Sequence, residues 1–128
     1  MGAHSQRKGA GGERDFMKEL MARLPSLSLT RNTYEQRVKS GHADVLGLPG
    51  FAIEVKRYGN STTDWYKPDW WEQTVHSASL TNAIPLLGYR YNRKPWRVVV
   101  PWGFGDVTQP VVCDLDTVCE RIRMKDAS

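Results

Sequence analysis

A chain of 128 residues has room for one compact domain and not for two ordinary ones, and its 40% hydrophobic content, five tryptophans included, can supply a core. The net charge of +4 favours polyanionic partners without requiring them. Cys113 and Cys119 are too few for a zinc centre and are not spaced as a CxxC pair, and no run of ~18 apolar residues offers a membrane span.

Met1 to Gly12 carry no large apolar residue after Met1 and hold His4, Arg7 and Lys8 among glycines. Such a stretch cannot bury enough surface to offset its ordering entropy, so it reads as a mobile basic arm before a single domain over residues 13–128. Glu13 to Leu24 is predicted to be a helix, with Phe16, Met17, Leu20, Met21 and Leu24 on one face and Pro25 as its stop. Glu13 then falls in the first turn, where the helix dipole favours a carboxylate; that alone would account for it.

Leu29 to Val38 reads as a half-exposed strand, broken by Ser40-Gly41. Two stronger strands follow, His42 to Leu48 and Phe51 to Arg57, joined at Pro49-Gly50. Tyr58 to Asp69 is a loop. A second helix is predicted over Asp69 to Asn82, packing through Trp70, Trp71, Thr74, Val75 and Ala78. Pro85 to Tyr91 and Trp96 to Pro101 are strands about the turn Asn92-Arg93-Lys94-Pro95. Val111 to Cys113 is a short strand, and Asp114 to Met124 a closing helix with Leu115, Val118 and Ile122 inward. This alternation around a mixed sheet argues for a three-layer α/β domain.

Chemistry concentrates between Asp44 and Lys56. Asp44 and Glu54 each interrupt an apolar strand, and a carboxylate buried there is costly unless it is paired or binds metal. Lys56 follows Glu54 by two residues, so the two side chains share one strand face, while Val55 points away but can turn its carbonyl to the same edge. Register decides whether Asp44 joins them. A two-residue turn pairing Leu48 with Phe51 would set Asp44 opposite Val55, facing away. A three-residue loop pairing Leu48 with Ala52 would set Asp44 opposite Lys56, diagonal to Glu54. An odd loop or a bulge near Pro49-Gly50 is therefore the condition for a site. Two carboxylates and a carbonyl form a hard oxygen set suited to magnesium or manganese, which can activate water against a phosphodiester. Lys56 can orient that water and steady the transition state, or simply form a salt bridge.

The spacing of Asp44 to Glu54-Val55-Lys56, with Glu13 on a preceding helix, resembles the PD-(D/E)xK nuclease superfamily. Arg7-Lys8-Gly9-Ala10-Gly11-Gly12-Glu13-Arg14-Asp15-Phe16 is similar to the opening of archaeal-type Holliday junction resolvases and their phage relatives, and Ala52-Ile53-Glu54-Val55-Lys56 to their central strand. The likeness covers roughly residues 5–90. It implies a restriction-endonuclease-like α/β/α fold, with Glu13, Asp44 and Glu54 as metal-site acids, Glu13 directly or through water. It also implies Lys56 as the catalytic lysine, Gln73 as a supporting residue, and a homodimer acting on branched or duplex DNA. The chain departs from the pattern in having no proline before Asp44 and in the bulk of Trp70-Trp71.

Around these residues, Arg7, Lys8, Arg57, Lys67, Arg93 and Lys94 are candidate phosphate contacts, alongside Arg90 and Arg97; each also fits a solvated basic surface. Trp65, Tyr66, Trp70 and Trp71 could stack on unpaired bases or serve as core. His42, two residues before Asp44, fits a structural histidine better than a ligand, and His76 has less support. The expected setting is the cytoplasm of a bacterial, archaeal or phage-infected cell, with both thiols reduced. Competing readings are a restriction-like or nicking and repair nuclease, an RNA nuclease, and a non-catalytic DNA-binding protein on a nuclease fold. The full set Glu13, Asp44, Glu54 and Lys56 speaks against the last.

Overall fold

The strand Phe51–Arg57 is enclosed along nearly its whole length, and the other elements are arranged to cover it. The computed structural model describes residues 9–33 and 43–127. In chain order these form helix α1 (Gly9–Arg23), strands β1 (Thr30–Arg31), β2 (Val45–Leu46) and β3 (Phe51–Arg57), and helix α2 (Pro68–Ser79). Strands β4 (Ile84–Arg90), β5 (Arg97–Trp102) and β6 (Asp106–Asp114) and helix α3 (Leu115–Ala127) complete them. The strands make one sheet in the order β1-β2-β3-β4-β5-β6. Neighbours β3 and β4 are parallel, linked through α2, and the other pairs are antiparallel.

Alternation along the strands sends side chains to two faces. Ile53, Val55, Leu86, Val98 and Val100 meet Phe16 and Leu20 of α1 and Leu115, Val118 and Ile122 of α3. Leu87, Tyr89 and Val99 lie on the other face under Trp70 and Trp71, and Ala52 meets Ala78 of α2 there. The result is the three-layer α/β/α arrangement with a mixed sheet, as in restriction-endonuclease-like folds.

Two glycines let α1 lie close to the sheet. A Cβ at Gly88 would stand 2.4 Å from the Phe16 ring, and one at Gly12 would stand 2.4 Å from Cβ of Arg57. Polar clips fix the helix further: Trp96 Nε1 donates to Asp15 at 2.9 Å, and Arg23 bridges to Asp116 of α3 at 2.7 Å.

Several boundaries differ from expectation for local reasons. Helix α1 begins at Gly9 rather than Glu13, so Glu13 is not in its first turn. Its first turn is glycine-rich and of low intrinsic helix propensity, and Gly12 in it passes Arg57 too closely for a side chain. Residues 1–8, with Arg7 and Lys8, lie outside the described residues, as do 34–42, with the end of the Leu29–Val38 strand and His42. Strand β1 is confined to Thr30–Arg31. One further backbone bond follows it, from the Asn32 N–H to the Asp44 carbonyl at 2.8 Å, and the buried Asn32 side chain donates from Nδ2 to the Ala43 carbonyl at 2.6 Å. Strand β2 is equally short, because Gly47 at φ +114 turns the chain out of the sheet. In contrast, Val111–Cys113 proves to be the inner end of a nine-residue strand. Its outer half is polar and exposed and carries Pro110, which an edge strand tolerates. Helix α2 ends at Ser79, short of Asn82, which takes a left-handed turn at φ 53.

Candidate active site

Asp44 and Glu54 approach each other from antiparallel neighbours, and the connection between those strands sets their meeting. The Phe51 N–H donates to the Leu48 carbonyl at 3.2 Å, closing a two-residue turn at Pro49-Gly50. Val45, however, pairs with Ile53, one residue off the register that turn would set, so one extra residue lies between them, where Gly47 takes φ +114. The register is two residues away from the Leu48–Ala52 pairing, so Asp44 comes alongside Glu54 rather than Lys56. Gly47 gives the reason. With φ +114 and no room for a side chain, since a Cβ there would lie 2.4 Å from the Ser28 carbonyl oxygen, it supplies the irregular step between the Pro49-Gly50 turn and the Val45–Ile53 pair.

Backbone contacts hold Asp44 in place. Its N–H donates to the Ile53 carbonyl at 2.7 Å, and its Oδ2 accepts the Val55 N–H at 2.9 Å. The carboxylate is therefore folded onto β3 next to Glu54. Asp44, Glu54 and Lys56 are 2%, 3% and 6% exposed, which makes this a concentration of charge withdrawn from water. Burial of that kind destabilises a fold unless partners or a ligand offset it.

Glu54 and Lys56 share the face covered by α2. Lys56 Nζ donates to Oε1 of Gln73, one turn into that helix, at 2.7 Å. Glu13 is on α1, which packs on the opposite face, and its buried carboxylate accepts from Arg31 Nε at 2.9 Å. Among the described residues no group of three or more His, Cys, Asp or Glu side chains stands close enough to hold a metal ion. Glu13 thus does not form a three-acid cluster with Asp44 and Glu54. What the site offers is two carboxylates beside the Val55 backbone, hard oxygen donors of the kind that suit magnesium or manganese.

Positive charge gathers at the same end of the molecule. The Tyr58 N–H donates to the Arg90 carbonyl and the Asn92 N–H to that of Gly59, both at 3.0 Å, so the loop after β3 is tied to the β4–β5 turn. That turn carries exposed Arg93, at φ 64, and half-buried Lys94. Lys67 is exposed, its Nζ 5.7 Å from the Tyr58 ring centre and 5.9 Å from that of Trp70. Arg57 is half-buried and donates to the Tyr58 carbonyl. Burial, then repulsion from Arg90, push its pKa below the ordinary guanidinium value, with Asp15 opposing. Arg97 instead pairs with Asp64 at 3.0 Å.

The aromatic candidates divide. Trp70 and Trp71 are core, Tyr66 is half-buried and Trp65 is exposed; His76 is also exposed, on α2. The contact sequence reading missed is Arg31. An arginine in a short edge strand looks like solvated surface, and nothing in its spacing ties it to Glu13, eighteen positions earlier.

A buried Asp and a Glu-x-Lys triplet on adjacent strands of an α/β/α sheet define the PD-(D/E)xK class of nuclease. Within that class, a family model described as Phage putative PDDEXK endonuclease matches residues 4–122, and the chain belongs to this family. Comparisons with curated proteins and with solved structures return no match.

Proposed function

We propose that the protein is a magnesium-dependent endonuclease that hydrolyses DNA phosphodiesters, with branched junctions as its preferred substrate and a homodimer as its working form. The observation that carries this reading is the burial of Glu54 and Lys56 on β3 with Asp44 on the segment beside it, near a cluster of basic residues on the loop that follows the strand. Asp44 and Glu54, with the Val55 carbonyl, would hold the cation. When bound, it supplies an activated water and neutralises charge on the phosphate. Glu13 acts at one remove, through water, since Arg31 engages its carboxylate.

Lys56 is the residue on this chain that meets developing negative charge. Its ammonium is held by Gln73 before substrate arrives, so little reorganisation is needed in the transition state. Arg57, Lys67, Arg93 and Lys94, with Arg7 and Lys8, contact phosphates and orient the duplex without reading sequence. The mutual repulsion of Arg57 and Arg90 is relieved by a polyanion, which favours binding there. Resolving a junction takes two cuts, and a two-fold dimer would supply the second site.

The test is cleavage of a four-way junction, a linear DNA duplex and a matched RNA, each with magnesium and with EDTA. Magnesium-dependent cutting of the junction in preference to the duplex, leaving 5′-phosphates, is expected. Cutting that persists in EDTA, or no cutting of any DNA with magnesium or manganese, would overturn the reading. Equal rates on junction and duplex would leave a nuclease and remove the junction preference.

A further inference from the structure

Most large aromatic side chains are buried or half-buried, but Trp65 is 57% exposed and is not a loose surface residue. Its indole stacks on Tyr66, ring centres 5.3 Å apart and 29° from parallel. Tyr66 in turn meets Tyr89 at 6.1 Å, and Tyr89 meets Trp70 at 5.9 Å, so a line of rings runs from the core beneath α2 outward and ends at Trp65.

The backbone under this indole is pinned. The Trp65 N–H donates to Thr63 Oγ1 at 3.1 Å, and the Tyr91 hydroxyl donates to the Trp65 carbonyl at 2.9 Å. On either side the loop is fixed again: the Tyr89 hydroxyl donates to the Asp64 carbonyl at 2.8 Å, and Lys67 lies over Tyr58 and Trp70. An indole held this way has already lost most of its conformational freedom, so a flat ligand can stack on it at small entropic cost. Trp102, the other strongly exposed tryptophan, makes a useful contrast. It ends β5, which runs antiparallel to β4, and so lies at the end of the sheet away from Lys56; no ring stacks on it among the described residues.

We propose that Trp65 is a stacking platform for an unpaired DNA base beside the scissile strand. The inference rests on the nuclease reading and sharpens its substrate class, from DNA in general to DNA with bases exposed at a branch, gap or flap. Charge complementarity selects this occupant. Lys67 is two residues away, Arg93 and Lys94 occupy the turn tied to the same loop, and the loop itself starts two residues after Lys56. An aromatic face beside cations is the pattern that holds single-stranded nucleic acid, because each base has a flat face and a nearby phosphate.

The experiment measures binding in EDTA, so that it stands apart from cleavage. Wild type, Trp65→Ala and Trp65→Phe are titrated against a perfect duplex and against the same duplex with a short single-stranded gap carrying 2-aminopurine. Loss of one base stack corresponds to roughly tenfold weaker binding, so W65A is expected to lose about that much on the gapped DNA and nothing on the duplex. W65F should recover most of the loss. Quenching of 2-aminopurine emission by wild type should fail with W65A. Equal affinity of W65A and wild type for the gapped DNA overturns the proposal, as does an equal loss on both DNAs or absence of binding by wild type. A dimer that W65A dissolves while gapped-DNA binding is unchanged would assign the indole to self-contact and overturn it too. If W65A binds like wild type while magnesium-dependent cutting persists, the platform fails and the nuclease reading stands.

Discussion

At the scale of single residues, Lys56 and Gln73 are the most exposed to test. Gln73 touches the lysine, and on the proposed mechanism Gln73→Ala should lower kcat on the order of tenfold with KM little changed, because the ammonium loses its orientation and not its charge. Rescue by Gln73→Glu, which keeps an oxygen acceptor, would separate positioning from general packing. The thiols offer a second check. Burial pushes the pKa of Cys113 and Cys119 up, so both hold less thiolate at neutral pH than an ordinary cysteine. Alkylation of the native protein should therefore be slow near pH 7 and rise only at higher pH, with fully buried Cys119 slower than Cys113. Fast labelling of Cys119 near neutrality would contradict its packing between α3 and the sheet. Sequence alone exposed Asp44, Glu54 and Lys56 because acids inside Val, Leu and Ile runs need a reason. The Glu13–Arg31 pair was hidden, since an ion pair between distant segments leaves no periodic trace.

Among the elements, the junction of β6 and α3 is the clearest case of local sequence setting structure. Asp114 caps the helix: its Oδ1 accepts the Thr117 N–H at 2.7 Å, and that bond lowers its pKa. Asp114→Ala should cost about 1 kcal/mol in denaturant unfolding. A carboxylate with a lowered folded pKa stabilises above the ordinary aspartate range and loses its effect as pH falls through the lowered value. The wild-type advantage should accordingly vanish in strong acid. Gly88→Ala should destabilise by roughly 1–3 kcal/mol through overpacking against Phe16, a larger effect than the same change at open Gly105. Phe51–Arg57 was readable in full, being apolar, β-rich and bounded by turns. The ends of β1, β2 and β6 were not, because a glycine packed under Ser28 and a long polar edge strand depend on neighbours far along the chain.

Across the whole molecule, the three-layer fold was legible because the order of elements leaves few ways to cover a mixed sheet. The register joining Asp44 to Glu54 was legible only as the need for an odd loop or a bulge near Pro49-Gly50, since the actual step, an irregularity at Gly47, depends on its long-range contact with Ser28. Of the basic residues, Arg57, Lys67, Arg93 and Lys94 stand at the end of β3, on the loop after it and on the turn tied to that loop, at the end of the sheet that holds Lys56. DNA affinity should fall steeply with salt, and replacing both Arg93 and Lys94 by alanine should reduce the magnitude of the log–log salt slope by about 2. The most direct check of the site is single-turnover cleavage of junction DNA in magnesium by wild type and by Glu54→Gln, a change that keeps shape and removes charge. A fall on the order of a thousandfold or more, with junction binding retained, is the expected result. Full cleavage by the glutamine variant would show that the chemistry lies elsewhere on the molecule.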